Sequence, residues 1–274
     1  MQRAMTATHL KAALLMLCSA GLTILLASPA EALFVSERDI EREALRSFRQ
    51  MQKTIPLAEN ANARRYVECV SWRIIDQLEE PYASLNWEVE LFEHEAANAF
   101  AMPGGKIGVF TGIFKVADNQ DSLAAVIGHE VAHVTEKHSL KRAKTQSRTN
   151  LGVVIASSAL GGGSVPQGTV SEVLSTGAAI GLTLPYGRKQ ESEADVDGLI
   201  FMADAGFDPR ASLTLWKNMG ELNKGSPPEF LSTHPSDERR MEGLIKSLPP
   251  ALAKYNTAID ARGRPNCSGA PAKP

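Results

Sequence analysis

Cysteine is scarce in this 274-residue chain, which holds three. That is too few for a disulfide-stapled framework, and no cysteine pair has the spacing of the closed four-ligand cage of a structural zinc domain. A basic excess is missing too. The formal net charge is −2, and no Lys/Arg run interleaves with aromatics, so no nucleic acid is expected as a partner. There is no internal repeat. Past the N-terminal region, the apolar stretches 151–160 and 173–184 are both too short to span a bilayer.

What is present supports a packed core, with 43% hydrophobic residues. Arg3 and Lys11 precede an apolar run from Ala12 to Ala27, and Ala30-Glu31-Ala32 supplies a small-x-small cleavage pattern. Residues 1–32 therefore read as a signal peptide cleaved after Ala32, which places the protein in the periplasm; membrane anchoring by an uncleaved signal is the alternative. Residues 33–261 form the expected domain, and the Pro/Gly/Ser-rich residues 262–274 a disordered tail. Cys69 and Cys267 either bridge in an oxidising compartment or are unrelated thiols.

Along the domain, Ser36 to Asp39 resembles a capping box opening a helix to about Gln52. Tyr66, Val70, Ile74 and Leu78 paint one helical stripe. Trp87 to Phe92 alternates like a strand, and 98–102 and 106–111 flank Pro103-Gly104-Gly105 as hairpin arms, so a small antiparallel sheet is expected. Helical patterns follow over 118–139, 187–205, the stretch after Asp208-Pro209, and 236–248. The class is α+β and mainly helical.

Chemistry concentrates in His129-Glu130-Val131-Ala132-His133. On a helix the two histidines project to the same side and can grip one ion, for which Zn2+ is suited because it accepts neutral imidazole and leaves a position open. Glu130, beside the first ligand, is placed to take a proton from an attacking water and pass it to the departing amine. A third ligand is wanted. Glu191 to Asp197 offers two pairs at a spacing of four, Glu191 with Asp195 and Glu193 with Asp197, and spacing does not choose between them. One member would bind metal and the other orient a ligating histidine. His138, five residues after His133, is expected on the far side of the helix in a structural role. His94 shows no evident partner.

HEVAH, then ESEAD, then Ser232-Thr233-His234-Pro235 with Arg240, resembles the gluzincin zinc peptidases of the HtpX and CAAX prenyl protease type. Within them the likeness is to the soluble periplasmic branch of the β-barrel assembly-enhancing protease, without its repeat domain. The resemblance runs from about Asn98 to Leu248. It implies a zincin-like fold, one Zn2+ held by His129, His133 and Glu191, and Asp195 behind them. Glu130 would be the catalytic acid/base. His234 would stabilise the oxyanion or bind the metal in a self-inhibited state, and Arg240 would hold the tetrahedral intermediate. Asn98, Ala99, Phe100 and Ala101 match the strand beside the cleft, which would pair with extended polypeptide substrates. The implied function is zinc-dependent cleavage of misfolded or unassembled cell-envelope proteins, with peripheral contact to a membrane or to outer-membrane assembly machinery. A chaperone or assembly factor with latent protease activity is the alternative.

Overall fold

The computed structural model describes residues 35–161, 185–222, 229–234 and 238–268, but not the side chains of 150–161, 229 and 238. The expected leader at 1–32 and the apolar stretch 173–184 lie outside the described residues, as do the side chains of 151–160. Among the described residues no helix is long and apolar enough to cross a membrane.

Helix α1 (Glu37–Thr54) starts where the sequence signals it. Ser36 Oγ accepts from Asp39 N at 3.2 Å and Asp39 Oδ2 accepts from Ser36 N at 3.1 Å, so two otherwise orphaned amides are satisfied. Ile40, Ala44 and Phe48 recur every four residues and are buried. In α2 (Ala61–Ile75) Asn60 caps two amides, and Tyr66, Val70 and Ile74 face the core as their spacing predicts. Each such fully buried large side chain contributes about 1.5–3 kcal/mol.

Strands β1 (Glu88–Phe92), β2 (Ala99–Met102) and β3 (Lys106–Phe110) form one sheet in the order β1-β3-β2. The hairpin is as expected, with Gly104 and Gly105 at φ of +79° and +78° where a side chain would be strained. The sheet is mixed, however, because β1 pairs with β3 in parallel and only β2 with β3 is antiparallel. The cause is the segment between β1 and β2. It sets β2 one strand position away from β1, leaving the place between them to β3, and its Glu95 and Ala96 carbonyls pack onto Gly112 just after β3. Consequently β2 is left at an edge of the sheet, against α3. Phe100 lies flat over Gly108, where a Cβ would stand 2.1 Å from its ring.

Helix α3 (Gln120–Thr135), capped by Asn119, is buried on all sides from Ser122 to Val134. It packs against α5 (Arg188–Asp204), which in turn packs against α8 (Glu238–Arg262). The helix expected through Ser139 stops early. Lys137 adopts a left-handed φ of 51°, and α4 (His138–Gly161) sets off in a new direction. Helices α6 (Ala211–Glu221) and α7 (Glu229–Thr233), with a short 3-10 helix at Thr111–Lys115 after β3, complete the described elements. Helix α8 passes the expected end at Leu248 and continues through Pro249 and Pro250, held by the buried Ala251, Tyr255 and Ala258. The described part of the expected tail is also pinned. Cys267 is bonded to Cys69, its amide donates to Gln120 Oε1 at 3.0 Å, and Arg264 pairs with Asp121 at 2.5 Å.

Candidate metal centre

Helices α3 and α5 cross at Gly128 and Gly198, where a Cβ on Gly128 would lie 2.6 Å from the Gly198 carbonyl oxygen. Only glycine permits this approach. It brings the face of α3 that bears His129 and His133 against the face of α5 that bears Glu191 and Asp195. Four ligand atoms, one each from His129, His133, Glu191 and His234, lie within 4.8 Å of one another, and all four residues are buried. His129 Nε2 stands 3.1 Å from His133 Nε2 and 3.2 Å from His234 Nδ1. Glu191 Oε2 is 3.5 Å from His129 Nε2, and Glu191 Oε1 is 3.6 Å from His133 Nε2.

Three ring nitrogens turned toward one point beside a carboxylate suit a cation between them, which would take the lone pairs that a single shared proton leaves facing one another in a buried site. Two imidazoles and a carboxylate are the donor set of an open catalytic zinc site. The residues fit. Burial opposes charge on His129, yet hydrogen bonds to Asp195 and Glu191 outweigh it and push its pKa to about 9. Burial likewise opposes charge on Glu191, but hydrogen bonds from His129 and His234 hold its carboxyl below the ordinary range. Both shifts have one origin, buried carboxylates that favour a positive charge beside them, and a divalent ion would supply that charge in place of a proton.

Asp195 Oδ1 is 3.1 Å from His129 Nδ1, so it orients that ring from behind. Arg240 grips Asp195 with two bonds of 2.7 and 2.6 Å, while its Nη1 lies 2.8 Å from Glu191 Oε2. Its guanidinium is also stacked 3.9 Å over Trp216. These contacts set it behind the ligands, holding two buried carboxylates.

Glu130 faces the cleft. Its Oε2 accepts from Ala101 N at 3.2 Å, and its Oε1 makes no hydrogen bond among the described residues, 3.3 Å from His234 Nε2. Burial raises its pKa, offset in part by His234 and His129. A cleft of about 180 Å³ runs past Glu130 and His234 along Asn98, Ala99, Phe100 and Ala101. Another cleft, about 210 Å³ between α1, Tyr82 and the hairpin tip, touches none of the ligand residues.

Several residues of the centre were not anticipated. His138 is not on the far side of a continuous helix: the break at Lys137 turns it back, fully buried, with Nδ1 2.8 Å from His133 Nδ1. Tyr186 stacks on His133 at 3.8 Å, and Phe230 on His234 at 4.4 Å, with no motif to announce either. Glu193 reaches His138, and Asp197 stays with Glu136 and Glu193 outside the ligand cluster. His94 is not among these residues and rests on Phe110.

A sequence model of Peptidase family M48 matches residues 61–247. The mitochondrial metalloendopeptidase OMA1 of Schizosaccharomyces pombe is 38% identical over 178 residues, 64% of this chain and 51% of that protein. Human metalloendopeptidase OMA1 is 32% identical over 179 residues, 62% of this chain and 34% of that protein. The β-barrel assembly-enhancing protease of Escherichia coli is 28% identical over 204 residues, 70% of this chain and 40% of that protein. The chain spans about half the length of these relatives, or less. Their names correct the expected location. Relatives at 32 to 38% identity are mitochondrial proteins, so the periplasmic assignment does not stand.

Proposed function

Because the chain belongs to peptidase family M48, a metalloendopeptidase family, we propose that it is a zinc-dependent endopeptidase acting on extended segments of misfolded or unassembled proteins. The observation that carries this is the convergence of His129, His133 and Glu191 beside Glu130, in a cleft bordered by the edge strand β2. Their donor set favours Zn2+, which when bound polarises the scissile carbonyl and makes water a nucleophile near neutral pH.

The protein's own groups do the rest. Glu130, its pKa raised by burial, takes the proton of the attacking water and delivers it to the departing amine. Ala101 N–H aims the Glu130 carboxylate, so the strand that receives substrate also sets the base. That amide points away from β3. By strand alternation the Ala99 N–H and C=O and the Ala101 C=O point the same way, and because both residues are buried here, an extended backbone pairs with them only where the cleft opens. Recognition of main chain over side chains suits unfolded substrates. Asp195 and Arg240 hold the ligands in place.

His234 supports a latent resting state. Its Nδ1 already sits among the ligand atoms, so His129, His133, Glu191 and His234 would together hold a metal and would leave no place for water. Activity then requires His234 to leave, after which its ring can donate to the oxyanion.

Degradation of unfolded casein by wild type, Glu130→Gln and His234→Ala tests the reading. Cleavage abolished by chelator and by Glu130→Gln, and altered in His234→Ala, supports it. Equal, undetectable cleavage in all three would sink the enzyme in favour of a holdase.

A further inference from the structure

The junction of α3 and α4 supplies a pair of groups that the proposed reaction leaves unused. His138 Nδ1 lies 2.8 Å from His133 Nδ1, and His138 Nε2 lies 3.1 Å from Glu193 Oε2. Two neutral imidazoles meeting nitrogen to nitrogen share one proton, so one donates and the other accepts. His133 Nε2 faces the ligand cluster, 3.1 Å from His129 Nε2. A nitrogen that gives its lone pair to a cation carries no proton. The His133 proton therefore sits on Nδ1 and is donated to His138 Nδ1. His138 must then carry its own proton on Nε2, where Glu193 accepts it. One tautomer assignment satisfies every nitrogen.

We infer that Glu193 and His138 form a positioning relay that fixes the tautomer and ring orientation of His133 and so sets the affinity of the centre for its cation. The inference rests on His133 being a ligand, as proposed above. The two histidine ligands are thus supported differently. His129 has a buried carboxylate directly behind it, Asp195 at 3.1 Å. His133 has a histidine, which carries the contact outward to a carboxylate at the margin of the fold, whose other oxygen lies 3.5 Å from Lys189. The left-handed Lys137 has a purpose in this arrangement. Without that turn, position 138 would follow α3 away from His133.

The experiment uses the full chain, stripped of metal and titrated with Zn2+ against a competing chelator, with Glu193→Gln, His138→Phe and His138→Asn beside wild type. Wild type takes one equivalent. Glu193→Gln weakens binding about 10- to 100-fold, the usual effect of removing a group that orients a ligating histidine. His138→Phe keeps the ring and removes the acceptor, and weakens it at least as much. His138→Asn restores an acceptor for His133 and regains part of the loss. Nitrogen NMR of the zinc-loaded wild type shows His133 protonated at Nδ1. Thermal unfolding of the metal-free proteins checks that the variants fold, and Glu193, being half-exposed, keeps the test valid should a His138 variant not.

Affinities of Glu193→Gln and His138→Phe within twofold of wild type would overturn the relay while leaving the metallopeptidase reading intact. A second equivalent in wild type, lost in Glu193→Gln, would overturn it as well, by assigning Glu136, His138 and Glu193 to an ion of their own. Wild type that takes up no zinc would overturn the proposed function and the relay together.

Discussion

Substituting Gly198 by alanine should disable the metal centre without unfolding the protein. A Cβ there would meet His129 N at 2.6 Å, with His129 Cα and the Gly128 carbonyl carbon at 2.8 Å. All three are backbone atoms and none can rotate aside. Ordinary contacts sit near 3.5–4.0 Å, so α3 and α5 must part by about 1 Å. Overpacking of this kind costs about 1–3 kcal/mol, which a domain stable by about 5–15 kcal/mol survives. A metal site is less forgiving, because ligand distances tolerate only about 0.2 Å. With His129 and His133 on one helix and Glu191 on the other, the shift detaches the carboxylate. The expected result is a cooperatively unfolding protein whose zinc Kd, measured by chelator competition, is weaker by at least about tenfold, with casein cleavage reduced to match. A Gly198→Ala protein with wild-type affinity and activity would refute the argument that the crossing builds the site. Gly220→Ala on α6 is the control. A Cβ there meets nothing within 4 Å, so it should leave metal binding unchanged and raise stability by about 0.4–1 kcal/mol.

Three further outcomes are expected. Asp197 has its pKa raised by burial and by the nearby Glu136 and Glu193. The folded state therefore holds its proton more tightly than the unfolded chain, and stability is lost as pH rises from the ordinary aspartate value through the higher folded one. Asp197→Asn should add about 0.5 kcal/mol at pH 7 in urea unfolding, and the gain should vanish at low pH; a gain that persists there would exclude the charge as its cause. Arg240→Met leaves Glu191 and Asp195 without their buried counter-charge and should cost about 3–5 kcal/mol, whereas a neutral effect would mean the pair is dispensable. Cys69→Ser should cost about 2–4 kcal/mol and raise hydrogen exchange at the start of α3, where Gln120 and Asp121 hold the 264–267 segment; unchanged exchange there would show that the bridge is not what holds it.

The parts of the fold legible in the sequence are those set by local chemistry. The Ser36 capping box, the four-residue stripe of α2 and the glycine pair of the hairpin each act within a few residues, and each appears where expected. The same locality made the HEVAH helix readable, because a spacing of four on a helix fixes a shared face. Strand order was not readable, since nothing in the 98–111 hairpin says on which side β1 will pair. The break at Lys137 was also hidden. A residue of ordinary type takes a left-handed conformation there, no Gly or Pro marks it, and so His138 was assigned to the wrong face. Arg240 illustrates a third limit. A family motif identified it as part of the centre, but only the surrounding carboxylates and Trp216 show which way its charge is spent.

The account stands on one cation shared by His129, His133 and Glu191, and metal analysis of the purified protein tests it most directly. One equivalent of zinc is predicted in wild type and in Glu130→Gln, with less than a tenth of that in the double variant Glu191→Ala/His234→Ala, which leaves two ligands. Zinc absent from wild type, or retained in full by the double variant, would contradict it.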